Sequence, residues 1–226
     1  MRHINFLLSF LLLSTFGCKK DKPIETQQPQ IQIQTSEMTD TRDGQHYKIV
    51  KIGNQWWMAE NLNYYTQSGS WYYNNDSTTY SKPYGRLYLW NTVMVGHASS
   101  NSNPSNVQGI SPSGWHIPSV GEWKQLESYL SEFNYAGNEL KETGTVHWKP
   151  SNTGTNTAMF NAVPAGTVYN NGNSFANING YTTFLSSTID TATGGVWGFG
   201  LSFDKTVISQ NPLGLLNGWS LRCVKD

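Results

Sequence analysis

Residues His46 to Leu62 read HYKIVKIGNQWWMAENL. Tyr47, Ile49 and Lys51 alternate with Lys48, Val50 and Ile52, the period of a half-buried strand, and Gly53-Asn54 supplies a turn before the run Gln55 to Ala59. Gly and Asn accept positive φ at little cost, so the stretch predicts an antiparallel hairpin that starts a domain.

Downstream of the hairpin, a loop rich in Ser, Asn and Tyr (SGSWYYNNDSTTYSKP, 68–83) leads into the apolar, strand-like run Arg86 to Trp90. The following stretch, HASSNSNPSNVQGISPSG (97–114), is so biased toward Ser, Asn and Pro that it is expected to stay out of the core. The clearest helix begins at Ser119 and runs to about Ser131. Ser119 and Glu122 form a capping box, in which each side chain serves an otherwise unpaired backbone N–H of the first turn. Trp123, Leu126 and Leu130 recur at helical spacing and define one apolar face, which makes Trp123 a core residue. After about residue 144 strand and turn signals return in FNAVPAGTVYNNG, GYTTFLSST, VWGFGLSF and GWSLRCVKD.

Upstream, the chain opens with a short cationic start, Arg2 and His3, an apolar stretch from Phe6 to Phe16, then Gly17 and Cys18. That stretch is too short for a membrane span, which takes about 20 residues, but it fits the apolar part of a secretory signal. The small residue before Cys18 fits lipoprotein processing, so residues 1–17 are expected to be a signal peptide and Cys18 a lipidation site. Acyl chains there would make the membrane a partner. Lys19 and Lys20 follow, and the position directly after Cys18 is not Asp, which favours the outer membrane or cell surface of a diderm bacterium. Residues 18–40 carry few large apolar side chains and are expected to form a flexible tether, with a short strand around Ile31 and Ile33 as the weaker reading. The domain proper is then 41–226.

With 226 residues and no composition shift after the tether, the chain is expected to form one core. Charged residues make up only 13%, so solubility rests on Asn, Ser, Thr, Tyr and Gly. Net charge is zero and no basic face is clustered, which removes the main support for nucleic-acid binding. Cys18 and Cys223 are the only cysteines and offer neither a zinc cluster nor a disulfide framework.

The strings KIGNQWWMAENLNY, YGRLYLWN, SPSGWHIPSVGEWKQLE, FNAVPAG, FLSST and GWSLRCVKD, in this order, resemble the Fibrobacter succinogenes major paralogous domain family over roughly residues 40–226. The resemblance implies bacterial surface or secreted lipoproteins and an α+β fold of C-type-lectin-like type, similar also to the formylglycine-generating enzymes. Such a fold has twisted, mostly antiparallel sheets, at least one amphipathic helix and long loops. The resemblance supplies no activity. Many relatives carry cysteine where Ser111 stands, and others in the loop around Tyr72 and Tyr80, whereas here Cys223 alone survives.

The loop Trp71 to Ser77, WYYNNDS, is the first candidate site. Aromatic faces stack on sugar rings while amides and carboxylates bond hydroxyls, so Trp71, Tyr73, Asn75 and Asp76 are the expected ligand-binding residues. The commoner use of such aromatics is to plug a loop onto its domain, and that reading carries more weight. Asn74, Asn75 and Asp76 could supply oxygen ligands to calcium, but the EF-hand spacing is absent; no cofactor and no metal site are otherwise expected. His46, His97, His116 and His147 are scattered, without a nucleophile-elbow motif, and no catalytic residue is assigned. Glu60, Arg86 and Arg222 are read as structural, with an Arg–Glu pair linking two strands. The expected function is non-catalytic recognition of a glycan or a protein at the cell surface. The alternatives are an assembly lipoprotein contacting other envelope proteins and an enzyme on a formylglycine-generating-like fold.

Overall fold

The computed structural model describes residues 33–130 and 135–226; the expectations for the signal segment and for Cys18 lie outside them. Along the chain the elements are β1 (Gln34–Thr39), β2 (His46–Ile52), β3 (Gln55–Met58), β4 (Ser70–Trp71), α1 (Ser77–Tyr80), β5 (Leu87–Leu89) and α2 (Trp90–Met94). There follow β6 (Trp115–His116), α3 (Val120–Leu130), α4 (Ala136–Leu140), β7 (Thr167–Tyr169), β8 (Ser174–Ala176) and β9 (Tyr181–Ile189). The last four are β10 (Val196–Ser202), β11 (Ser209–Leu213), β12 (Gly218–Trp219) and β13 (Val224–Lys225).

The strands form three sheets, in the orders β1-β2-β3-β13-β6, β11-β10-β9 and β4-β5-β12-β7-β8, and every pairing between named strands is antiparallel. The fold is therefore mixed α and β with mostly antiparallel sheets and few helices. The hairpin β2–β3 forms where the alternation places it, with Ile52 opposite Gln55 and Gly53 in the turn at φ +59°. The C-terminal segment joins all three sheets. β12 lies between β5 and β7, β13 lies between β3 and β6, and Ser220 bridges to Phe184 of β9.

Arg222, within that segment, is fully buried and donates from Nε to Asn61 Oδ1 at 2.8 Å, from Nη1 to the Phe160 carbonyl, and from Nη2 to the Asn161 carbonyl at 3.0 Å. Its Cζ lies 4.2 Å from the centroid of Phe160 and 5.2 Å from that of Phe184. The expected pairing with a glutamate is not formed. Glu60 instead accepts the backbone N–H of Lys48 at 2.7 Å, and neutral oxygens serve the arginine without desolvating a second charge. Burial pushes the guanidinium down to about 9, so it stays protonated at neutral pH.

α3 begins with the expected capping box: the Glu122 N–H donates to Ser119 Oγ at 3.2 Å, and the Ser119 N–H donates to Glu122 Oε2 at 2.9 Å. Its apolar face carries Trp123 into the main core, stacked on Phe199 at 5.0 Å and Phe184 at 5.5 Å, with Trp57 at 4.7 Å. Burying each such ring contributes about 1.5–3 kcal/mol.

Two expectations are corrected. Residues 34–39 belong to the domain as β1, paired from Gln34 opposite Lys51 to Thr39 opposite His46. Their polar side chains hid this, because an exposed strand needs only its backbone ladder and a few inward contacts, here Ile33 and Met38. The polar loop before β6 is also drawn inward, burying Ser105, Val107, Ile110 and Ser111. Backbone and hydroxyl bonds compensate its polarity: Ser105 Oγ donates to the Ile117 carbonyl at 2.6 Å, the Ile110 N–H reaches the Val93 carbonyl at 2.9 Å, and Arg42 Nη1 reaches the Ile110 carbonyl at 2.8 Å. Cys223 is a free, buried thiol beside Ser111, pushed up to about 12 by burial.

Two outcomes follow from these buried groups. Arg222→Met removes the donor from three oxygens, those of Asn61 and Phe160 on buried residues, and should lower stability by about 3 kcal/mol or more, read as a fall in the urea midpoint. In the native chain at neutral pH Cys223 should resist a thiol-alkylating reagent and become labelled only on unfolding, as mapped by peptide mass spectrometry.

Candidate functional site

The loop after β4 is held by packing. Trp71 pairs with Leu87 across β4–β5, and its half-buried indole lies so close to Gly172 that a Cβ there would meet its Nε1 at 2.6 Å. Tyr73 is a core residue, 7% exposed, with Tyr80 at 5.1 Å and Phe175 at 5.4 Å. Its ring has no free face to offer a ligand. Asn74 and Asn75 are exposed at positive φ, 53° and 59°. Asp76 caps α1 by accepting the Thr79 N–H at 3.1 Å, and hydrogen bonds from Thr79 hold its carboxyl below the usual range. Among the described residues no group of three or more His, Cys, Asp or Glu side chains is placed to hold a metal ion.

A cleft of about 410 Å³ opens between the β1–β2 hairpin and the loop 156–161. The hairpin contributes Thr35, Ser36 and Glu37 of β1 and Lys48 of β2; the loop contributes Asn156, Met159 and Asn161. Glu37 stands directly opposite Lys48 in the strand register, yet the two charges make no ion pair. The loop is strained. Asn156, Met159 and Asn161 have φ of 50°, 54° and 55°, a region costly for a side chain such as methionine. Two contacts hold it there: the Asn161 N–H donates to Asn156 Oδ1 at 2.8 Å, and Arg222 binds the carbonyls of Phe160 and Asn161. The result is a cleft whose hydroxyls, carboxylate and ammonium are exposed on the hairpin and whose two amides are half-buried in the loop. None of these loop residues stands out in the sequence, since Asn and Thr fill many other loops of this chain.

Arg86 was read as structural, and its surroundings differ from those of Arg222. Its Cζ sits 3.9 Å above the Tyr72 ring and 5.1 Å from that of Tyr65, and among the described residues its guanidinium makes no hydrogen bond. Lys141, unremarkable in the sequence, is fully buried and donates from Nζ to Thr153 Oγ1, the Ser202 carbonyl and the Lys205 carbonyl, each at 2.7 Å. Burial pushes its ammonium down to about 8.

The histidines do not converge. His46 bonds Thr39 Oγ1 and His147 bonds Glu142, whereas His116 is sealed in the interior. His116 Nε2 lies 2.6 Å from Glu122 Oε1 and Nδ1 lies 2.7 Å from Asp226 Oδ1. Glu122 Oε2 also accepts the N–H groups of Ser105 and Ser119. One imidazole thus ties α3 to the C-terminus of the chain. Burial works to lower its pKa, but the hydrogen bonds and charges of Glu122 and Asp226 outweigh burial and raise it.

A raised folded value means that the native state binds the proton more tightly than the unfolded chain. The contribution is complete below the ordinary imidazole value, about 6.5, and is lost as pH climbs through the folded value. Lys141 acts in the opposite sense above about 8, because its folded value is lowered. The urea midpoint should therefore fall as pH rises above about 6.5, and His116→Gln should flatten that fall.

Among the described residues no helix is long and apolar enough to cross a membrane. Searches of curated proteins and of solved structures find no match. The family model described as the Fibrobacter succinogenes major domain matches residues 50–225, a span that starts within β2 and holds β3, Arg86, the capping box, the loop 156–161 and Arg222. With most of its length so matched, the chain belongs to the Fibrobacter succinogenes major domain family.

Proposed function

We propose that the domain is a non-catalytic recognition module that binds a glycan in the cleft between the β1–β2 hairpin and the loop 156–161. The observation that carries this reading is the lining. Thr35 and Ser36 offer neutral donors and acceptors beside the Asn156 and Asn161 amides, which bond each other, and Glu37 and Lys48 bring opposite charges not spent on each other. Such a set matches the alternating donors and acceptors of sugar hydroxyls. Strain at Met159, held by Arg222, suits a surface prepared before its ligand arrives.

The wider setting belongs to the same proposal. The domain has a C-type-lectin-like fold and is exported and anchored through lipid on Cys18 at the outer membrane or cell surface, as the opening residues suggest. Trp71 and Asn75, the parts of the first loop that reach the surface, are secondary contacts.

The test is the full chain, solubilised in mild detergent, on a broad glycan array, with calcium and with chelator. Glu37→Gln and Lys48→Met alter exposed side chains, so folding should be unchanged. Each should weaken the selected glycan by roughly tenfold or more. Equal binding by both variants, or loss confined to Trp71→Ala, would sink the cleft as the site. Loss of binding in chelator would bring calcium back into the mechanism.

A further inference from the structure

Arg86 and Arg222 are both at least nine-tenths buried, with relative exposures of 9% and 0%, but the fold treats them oppositely. Arg222 has each of its three nitrogens on a protein oxygen. Arg86 has none: among the described residues its guanidinium makes no hydrogen bond and no ion pair, and its Nε is sealed from solvent without a partner. Its two Nη nitrogens are equally unpaired, though neither is sealed. The rings of Tyr72 and Tyr65 are its neighbours. Ring contacts favour the cation but accept none of the five N–H groups, which point outward in the guanidinium plane. A buried cation with every donor idle lacks a counter-charge.

The position is rigidly built. Gly85 has φ +70°, and a Cβ there would come within 2.8 Å of Asn61 Cβ and 2.9 Å of the Leu62 carbonyl. The Arg86 N–H donates to that same carbonyl at 3.2 Å, and Leu87 is locked against Trp71 in the sheet. The side chain is therefore presented by a backbone that cannot easily retreat. Around it, Tyr65 is 64% exposed, an unusual position for a ring of that size. Neither the Tyr65 nor the Tyr72 hydroxyl bonds the protein, so both are available to a ligand.

We propose that Arg86 anchors a binding site for a carboxylate-bearing sugar, a uronate. The carboxylate pairs with the idle Nη edge, whose planar fork matches two carboxylate oxygens. The sugar ring lies against Tyr65, with the Tyr65 and Tyr72 hydroxyls bonding its own. The carboxylate part stands on the unpaired guanidinium alone; the sugar part rests on the recognition reading above. The site shares no residue with the cleft.

The test is titration of the full chain, in mild detergent at low salt, with oligogalacturonate, with its methyl ester and with poly-glutamate. Wild type should bind oligogalacturonate, and the ester, which lacks the charge, should not bind. Arg86→Met should weaken binding by roughly ten- to a hundredfold, with the thermal midpoint unchanged or raised because an unpaired buried charge is removed. Tyr65→Ala, at an exposed position, gives a second loss that does not depend on the arginine variant folding. Equal binding by both variants, no binding of oligogalacturonate, or binding of poly-glutamate alone would overturn the proposal. Glycan binding that depends on Glu37 and survives Arg86→Met reports on the cleft separately.

Discussion

Arg222 carries a positive charge in the interior, and among the described residues its nitrogens are met by Asn61 Oδ1 and the carbonyls of Phe160 and Asn161. Those oxygens come from the segment after the first hairpin and from the loop 156–161, while the arginine lies between β12 and β13, in the segment that joins three sheets. One side chain therefore holds together parts of the chain that share no regular secondary structure. A lysine could not replace it, because its compact ammonium lacks the planar fork that reaches two consecutive carbonyls and a side-chain amide at once. The rings of Phe160 and Phe184 close over the guanidinium and keep water from competing for these oxygens.

The same contact shapes the surface. Carbonyls pinned from beneath allow Asn156, Met159 and Asn161 to hold a left-handed backbone that would otherwise relax. The polar cleft is thus a consequence of interior satisfaction. Arg86 is the counterexample within the same molecule: its backbone is fixed with equal firmness, yet its guanidinium is left to aromatic faces. The fold gives each nitrogen of one buried arginine an oxygen and leaves the other to aromatic rings, and on that contrast rests the ligand site proposed at Arg86. His116 stands with the first kind, since both ring nitrogens are met by carboxylates of the chain itself.

Much of the scaffold was legible before any coordinates. The alternation in Tyr47 to Ile52 and the Gly53-Asn54 turn describe β2–β3, and Ser119 with Glu122 describes the start of α3, because those signals act between residues a few positions apart. β1 was hidden, since its side chains are polar and its stability lies in a backbone ladder that composition does not reveal. The loop containing Ser105 and Ile110 was hidden for the complementary reason: its polar groups find partners inside. Tyr73 and Asp76 formed a plausible ligand pair by type, but one is spent on packing and the other on a helix cap.

The family, the hairpin, the capped helix and the apolar residues of the core can all be read from the order of the amino acids. All rest on local periodicity, on short-range hydrogen bonding or on motifs whose order along the chain is directly visible. Which polar side chains are satisfied and which are idle is settled by the packing of distant segments. Arg222 and Asn61 are separated by 161 residues, and whether a donor finds its acceptor across such a distance depends on how the sheets pack, not on the identity of either residue. Arg86 and Arg222 are the same amino acid in similarly apolar strings. Their difference exists only once the chain has folded, when three oxygens surround one guanidinium and two rings flank the other.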